Sequence, residues 1–303
     1  MRTLLFLTLF FTTLYAEPIS AIPQSIPVDK QKVSLGKELF FDTILSIDNT
    51  ISCASCHNLD KGGDDDLKFS FGIKSQEGDI NAPTVYNAVF NFRQFWNGSA
   101  KDLAQQAKGP IQNPIEMGNT FENLIKTLNQ TPYQKKFQAI YPDGITKDNI
   151  ADAIAEFEKT LITPNSPFDN YLRGDQSALS QKQKDGYTVF KSKGCISCHH
   201  GVNIGGNLYN KFGVLKDIKS NRTGRYEVTK KEADKYYFKV PSLRNITQTA
   251  PYLHDGRFEK LDDVVKFMAH YQLGRTISQE EVNQVVAFLD SLTGEIPQSA
   301  KRP

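Results

Sequence analysis

All four cysteines of the chain lie in two copies of one pattern, Cys-x-x-Cys-His, at residues 53–57 and 195–199. This pattern is typical of c-type haem attachment, in which the two thiols form thioethers with the porphyrin and the adjacent histidine binds the iron. The residues concerned are Cys53, Cys56, His57, Cys195, Cys198 and His199. The sequence therefore predicts two c-type haems, with His57 and His199 as their proximal ligands.

Two other uses of the same cysteines are chemically possible. The two pairs could form one four-cysteine zinc site, or an exported protein could oxidise them to disulfides. Neither alternative explains why a histidine directly follows both pairs, and the cysteine pairs of zinc sites usually lie much closer together in sequence. Haem attachment is the interpretation that the pattern favours.

The supply of further iron ligands differs between the two motifs. A haem iron that only carries electrons takes two axial ligands, whereas one that binds peroxide leaves a position open. No histidine lies between His57 and His199, so only Met117, or a recruited tyrosine or lysine, could cap the first haem. Met268 follows His199 in a helical stretch. We therefore expect an open haem at His57 and a closed, higher-potential haem ligated by His199 and Met268.

The segments around the two motifs repeat along the chain. A Gly-x-x-aliphatic-Phe sequence precedes each motif, at residues 36–40 and 186–190, as in the first helix of a cytochrome c domain. An amphipathic helical pattern follows each motif, at residues 150–161 and 282–292. The second of these helices opens with a Ser278-x-x-Glu281 capping box. Each pair of helices is expected to pack together and close one domain.

These patterns predict a mostly α fold of two tandem cytochrome c-type domains, each with one covalently bound haem and long irregular loops. A cluster of helix-breaking residues at 163–167 marks the expected boundary. We place the N-terminal cytochrome c domain, with the open haem, at residues 17–164. The C-terminal domain, with the closed, higher-potential haem, then spans residues 165–303.

The N-terminus and the overall charge indicate where the protein works. Arg2, a short apolar stretch at residues 4–15 and Ala16 form the pattern of a secretory signal, residues 1–16, cleaved after Ala16. No later segment is apolar for long enough to span a membrane. The formal net charge is +2, without a basic run, which predicts no nucleic-acid partner. We expect a periplasmic protein with no membrane span in the mature chain.

Several segments resemble the bacterial di-haem cytochrome c peroxidases, and the resemblance runs in order from about Val33 to Leu292. The segments that carry it are residues 81–87, 95–98, 102–107, 110–117, 240–246 and 249–256. The resemblance implies reduction of hydrogen peroxide at the first haem, with electrons entering at the second. It also implies a homodimer that receives electrons from a small c-type cytochrome or a cupredoxin.

The resemblance implies roles for four residues outside the haem motifs. Glu116 and Gln106 would line the peroxide pocket, Trp96 would lie between the haems, and His254 would interact with a haem propionate. Cleavage of peroxide needs a proton moved from one oxygen to the other, which one positioned carboxyl can do. An apolar pocket would have to raise the pKa of Glu116 for this task. Gln106 can orient peroxide but cannot transfer the proton.

A cation site is also implied by the resemblance. One calcium ion at the domain junction would be held by the side chain of Asn81 and the backbone carbonyls of Thr249 and Pro251. An acidic run at residues 60–66 could bind a cation as well, but it lacks the spacing of an EF-hand loop. We predict a solvated turn for that run.

One departure from the family pattern concerns gating. In many members a histidine in the loop after the first motif caps the first haem until the second haem is reduced. Ile73 stands at that position here, and isoleucine has no donor atom. A related branch that oxidises another protein carries tyrosine where this chain has Met268, so Met268 favours the peroxidase branch. We expect peroxide chemistry without histidine-gated activation.

Two other functions stay open at this point. One is a peroxide-using di-haem oxidase of another substrate, and the other is a di-haem electron carrier or redox sensor. The spin state of the first haem separates an enzyme from a carrier, because an open iron is high-spin and a capped iron is low-spin.

Overall fold

The computed structural model describes residues 17–303, so the predicted signal segment, residues 1–16, lies outside the described residues. The first half of the described chain is helical and connected by long loops. Its α helices are α1 (Lys30–Phe41), α2 (Cys53–Cys56), α3 (Leu103–Gln112), α4 (Phe121–Leu128), α5 (Tyr133–Ile140) and α6 (Lys147–Lys159). Short 3-10 helices lie at Thr43–Leu45, Ile73–Ser75 and Ala88–Phe90.

The second half repeats this plan and adds a small antiparallel strand pair. Its α helices are α7 (Pro167–Leu172), α8 (Gln181–Lys193), α9 (Tyr226–Thr229), α10 (Leu261–Phe267) and α11 (Gln279–Asp290). A π-helical segment, Met268–Gln272, continues α10. Strand β1 (Tyr209–Lys211) pairs with β2 (Tyr237–Lys239), with Tyr209 opposite Lys239. Further 3-10 helices lie at Cys195–Ser197, Glu232–Asp234, Ile246–Gln248 and Gln298–Ala300.

A glycine lies at the crossing of the two main helices in each half. Helix α1 packs on α6, and α8 packs on α11. A Cβ atom on Gly36 would overlap the carbonyl oxygen of Ala153, and one on Gly186 would overlap that of Gln284. Only glycine permits the two backbones to approach so closely. The repeated Gly-x-x-aliphatic-Phe pattern therefore specifies the same helix crossing twice, and the predicted helix pairs and tandem domains are confirmed.

Each half has its own aromatic core. In the first, the rings of Phe40 and Phe157 meet edge to face with centroids 5.2 Å apart. In the second, Phe168 and Phe288 meet in the same way at 5.0 Å. These residues are fully buried and belong to two separate hydrophobic clusters. Two cores in series fit two domains, each of which buries its own apolar surface.

The segment predicted as the domain boundary is a buried junction between the halves. Thr163 is 2% exposed, and its Oγ1 accepts hydrogen bonds from the side-chain amides of Asn87 and Asn245 at 2.8 and 3.0 Å. Both asparagines have a left-handed backbone, with φ of 61° and 58°. Each begins a 3-10 helix in its own half. The two halves are thus joined by a pair of equivalent asparagines on one threonine.

None of the helices formed by residues 17–303 is long and apolar enough to cross a membrane.

Candidate haem sites

A cavity of about 370 Å³ lies beside α2 and α3 in the first half. The first motif forms one part of its wall, and residues of α3 and of the turn that follows form another. The predicted site residues that line it are Cys53, Cys56, His57, Asn81, Trp96, Gln106 and Glu116. The structure therefore brings the first haem motif together with the residues predicted for the peroxide pocket.

A second, smaller cavity of about 110 Å³ lies in the second half. Its wall contains the second motif together with the start of the π-helical segment, which carries Met268. The predicted site residues that line it are Trp96, Cys195, Cys198, His199, His254 and Met268. The thioether proposed as the second axial ligand thus lies in the same cavity as the proximal histidine.

Both proximal histidines are held in the orientation that a haem ligand needs. His57 Nδ1 lies 3.1 Å from the Gly63 carbonyl oxygen, and His199 Nδ1 lies 3.2 Å from that of Ile204. An Nδ1–H that donates to a carbonyl leaves Nε2 as the nitrogen that binds metal. Burial lowers the pKa of both imidazoles, that of His199 to about 4, which keeps them neutral.

The donor set fits haem and does not fit zinc or disulfides. The two cysteines of each motif lie in their own cavity, separate from those of the other motif. No cluster of three or more His, Cys, Asp or Glu side chains within residues 17–303 could hold a metal ion. Attachment to a porphyrin through thioethers uses the two cysteines and the histidine of one motif in one cavity, which is the arrangement at each site.

Glu116 lies in the turn after α3 and is held there by a neighbour. Its Oε1 accepts a hydrogen bond from the side-chain amide of Asn113 at 2.6 Å. Burial raises the pKa of the Glu116 carboxyl, and this hydrogen bond acts in the opposite direction. Gln106 lies on α3 and presents its amide to the same cavity. The pair can therefore hold a proton and orient a small polar substrate at one wall.

The loop after the first motif packs against this turn. The Ile73 amide donates to the Glu116 carbonyl oxygen at 2.8 Å, and Gln76 Nε2 donates to the Pro114 carbonyl oxygen at 3.1 Å. The Ile73 side chain is buried against Gly118 and does not line the cavity. Lys74 is exposed and does not line it either. The segment at Ile73 therefore stabilises the turn of Glu116 without lining the cavity.

Trp96 lines both cavities, as expected of a residue between two haems. Its indole Nε1 donates to the Asn81 carbonyl oxygen at 2.9 Å, which fixes the ring. His254 lies next to it, with ring centroids 6.1 Å apart, and stacks on Phe238 at 4.4 Å. The His254 Nε2 lies 2.9 Å from the hydroxyl of Ser220. Burial lowers the pKa of His254 to about 4, so its ring is neutral.

The residues predicted for calcium lie on two segments that meet. The Asn81 amide donates to the His254 carbonyl oxygen at 2.9 Å, and Asn81 Nδ2 donates to the Leu67 carbonyl oxygen at 3.0 Å. Thr249 and Pro251 precede His254 by a few residues. Asn81 is 6% exposed. The structure thus joins the two segments, and oxygen ligands of this kind suit calcium.

The prediction of a solvated turn at residues 60–66 is wrong for Asp64. This residue is 2% exposed, and its Oδ1 has no hydrogen-bond partner among residues 17–303. Burial raises its pKa to about 7. Its backbone oxygen accepts from the Asn58 amide at 2.9 Å, so the turn folds back under the loop of the proximal histidine.

Sequence reasoning missed two further ionisable residues in the cavity walls. Glu158 on α6 lines the first cavity, is 5% exposed, and its Oε2 has no hydrogen-bond partner in the described chain. Lys239 on β2 lines the second cavity and is 6% exposed. Burial moves the pKa of each to about 8, upward for the acid and downward for the amine. Both residues lie in amphipathic or mixed segments, where a charged residue is normally exposed, so no sequence signal marked them.

The chain matches two family models in tandem. The model described as di-haem cytochrome c peroxidase matches residues 30–177, and the model described as cytochrome c matches residues 183–293. These matches place one haem motif in each model.

Relatives and a solved structure agree with the models. The chain is 50% identical to the cytochrome c peroxidase Ccp of Escherichia coli (strain K12), over 92% of this chain and 61% of that relative. It is 48% identical to the cytochrome c551 peroxidase of Nitrosomonas europaea, over 93% of this chain and 85% of that relative. This chain therefore spans under two thirds of the Escherichia coli relative.

Among solved structures, a MauG-like protein associated with microbial copper homeostasis has the same fold. Its TM-score is 0.82 at 24% identity, and the match covers 98% of this chain and 99% of that one. The architecture of the two cavities, the family models and the relatives lead to the same conclusion. The chain belongs to the di-haem cytochrome c peroxidase family.

Proposed function

We propose that the protein reduces hydrogen peroxide to two waters in the periplasm, with two protons and two electrons from a small c-type cytochrome or a cupredoxin. One observation carries this proposal: the first cavity combines His57 with Glu116 and Gln106. Within residues 17–303, no histidine other than His57 lines that cavity. A haem held by His57 would therefore have a carboxyl and an amide in the same cavity, and these groups suit proton transfer to peroxide and its orientation.

When bound, the two haems supply the iron centres that carry the electrons and at which the peroxide bond is broken. The protein residues supply proton movement and orientation. Glu116 accepts a proton from one peroxide oxygen and delivers it to the other, and burial raises its pKa, which helps it to take up the proton. The Asn113 amide fixes the Glu116 carboxyl, and Gln106 orients the substrate through hydrogen bonds.

Electrons enter at the cavity of His199 and Met268 and move toward that of His57. Trp96 is the residue shared by both walls, and its indole is fixed by the hydrogen bond to Asn81. A rigid aromatic ring between two redox centres shortens the gap that electrons must cross.

We propose that the enzyme is active without prior reduction. Ile73 has no donor atom, and its side chain packs behind the Glu116 turn. Electron paramagnetic resonance of the oxidised protein should show one high-spin haem, and stopped-flow mixing with peroxide should show a fast reaction. Met117 lies in the cavity wall and is the residue to exchange if two low-spin signals are found. Two low-spin signals with no reaction before reduction would contradict ungated activity.

Calcium and a second copy of the chain complete the proposal. Asn81, Thr249 and Pro251 would hold the ion where the segment of Trp96 meets that of His254. Removal of calcium with a chelator should lower turnover while both haems stay attached, and added calcium should restore it. Sedimentation equilibrium with and without calcium tests the homodimer.

Steady-state turnover is the decisive test of the function. Hydrogen peroxide should oxidise a reduced small c-type cytochrome only in the presence of the protein, with two cytochromes consumed per peroxide. A carrier or sensor would exchange electrons with the cytochrome but would not consume peroxide continuously.

A further inference from the structure

Lys239 is a buried cation without a partner in the second cavity. Strand pairing with Tyr209 fixes its backbone, and its amide donates to the Trp96 carbonyl oxygen at 2.8 Å. The residue is 6% exposed. Among residues 17–303 its ammonium makes no ion pair within 4.0 Å and no hydrogen bond, in contrast to the paired lysines of the surface such as Lys32 and Lys193.

The cavity itself offers no counter-ion from the protein. No Asp or Glu of the described chain lines it, and the ionisable groups that face it besides the cysteines are His199, His254 and Lys211. Lysine is almost never buried unless it is paired, since an isolated buried charge is costly. The counter-ion must therefore come with the group that fills the cavity.

A c-type haem brings two propionate carboxylates into that cavity. We infer that Lys239 is a positioning residue that pairs with a propionate of the second haem and holds its reduction potential high. This inference deepens the proposed function and rests on its assignment of the electron-entry haem to His199 and Met268. It does not depend on peroxide turnover.

The physical reason is the sign of the charge. Reduction adds one electron to the haem, and a nearby positive charge in a dry cavity stabilises the added negative charge. The His254 Nε2 already lies 2.9 Å from the Ser220 hydroxyl, whereas the Lys239 ammonium has no such partner in the described chain. Lys239 and Trp96 line the same cavity, and the Lys239 backbone amide donates to the Trp96 carbonyl oxygen.

The test is a redox titration of both haems in the holoprotein, without peroxide. Lys239→Met should lower the equilibrium constant for reduction of the second haem at least tenfold, which is ~59 mV for one electron. Lys239→Arg keeps the charge and should stay within about threefold of the wild type. Lys231→Met removes an exposed lysine of the same half and should change neither haem. Unchanged second-haem potential in Lys239→Met, with both haems attached, would overturn the inference.

A measurement on the wild type covers the case in which the Lys239 variants do not mature. A paired lysine stays charged across the neutral range, so the second-haem potential should show no step near pH 8. An unpaired Lys239 would lose its proton near that pH, because burial alone lowers its pKa to about 8. A step near pH 8 would therefore contradict the pairing. Because neither titration uses peroxide, failure of the peroxidase proposal would leave both results interpretable.

Discussion

The two haem sites share the frame that holds a haem and differ in the residues that face it. In both halves a glycine permits the main helix crossing, and a backbone carbonyl orients the proximal histidine. The walls differ in size and in charge. The first cavity, about 370 Å³, contains the carboxyls of Glu116 and Glu158, whereas the second, about 110 Å³, contains Met268 and the ammonium of Lys239.

This difference indicates that haem attachment and the reactivity of each haem depend on different residues. The frame is repeated almost without change, so both halves bind the same cofactor. In the proposed function, a few residues of the cavity walls then give the first haem its proton source and the second haem its second ligand and a positive charge. A larger cavity with acids suits peroxide, and a small one with a thioether suits electron transfer.

The largest effect is expected from disrupting the helix crossing that both halves share. Gly36→Ala and Gly186→Ala each place a Cβ on a backbone carbonyl of the partner helix, so the helices must separate. Each change should lower the free energy of unfolding by ~3 kcal/mol, at the upper end for overpacking. Chemical denaturation of the holoprotein would measure both. Gly109→Ala is the control, because its Cβ would meet only the Phe95 ring at 3.2 Å. Stability close to that of the wild type for either crossing would show that the frames are not equivalent.

The next prediction concerns a residue that only the wall of the first cavity contains. Glu116→Gln should lower peroxide turnover by roughly 100-fold, the usual scale for loss of a general acid–base group. The amide keeps the shape of the carboxyl, so the spectra and potentials of both haems should not change. Glu122→Gln, an exposed glutamate nearby, should behave as the wild type. Wild-type turnover in Glu116→Gln would remove this carboxyl from the mechanism.

A matching change in the wall of the second cavity should alter the reduction potential of the second haem and nothing else. Met268→His replaces the thioether with an imidazole, and histidine in place of methionine lowers the potential of a haem. The equilibrium constant for reduction of the second haem should fall at least tenfold, ~59 mV, while the first haem stays where it was. A redox titration followed by visible spectra measures both. If the second potential does not move, another residue holds that iron.

The repeated frame was readable from the sequence because it depends on residue identity at fixed spacing. Cys-x-x-Cys-His has few alternative explanations, and the repeated Gly-x-x-aliphatic-Phe and amphipathic patterns predicted the helix pairs, whereas the close backbone approach at Gly36 and Gly186 is seen only in the structure. The positions of Glu116, Gln106 and Trp96 were available only through resemblance, because nothing in their local sequence distinguishes them from solvated or core residues.

Burial of single ionisable residues could not be predicted in the same way. Glu158 and Lys239 lie in amphipathic or mixed segments, where a charged residue is normally exposed. The two asparagines that bind Thr163 form another repeat that was not recognised, since it appears only when both left-handed turns are seen together. Such features depend on which segments meet, and that is decided by the whole fold.

The smallest effect concerns Glu158, whose carboxyl is buried in the wall of the first cavity. Burial raises the pKa of Glu158 from 4.5 to about 8, so in the folded protein its proton stays bound where the unfolded chain has lost it. Its contribution to stability is therefore complete below about pH 4.5 and is lost as the pH rises to about 8. Glu158→Gln removes this dependence, because an amide does not titrate in that range.

The measurement is the melting temperature of the holoprotein and of Glu158→Gln at about pH 5 and about pH 8. Relative to the wild type, the variant should gain ~5 °C between the two values, on the scale of about 1–2 kcal/mol. Glu122→Gln should show no such gain, because that carboxyl is exposed in the folded protein as well. A constant difference between the variant and the wild type would mean that Glu158 is ionised in the folded state. The first cavity would then hold a buried negative charge, opposite in sign to the Lys239 ammonium of the second cavity.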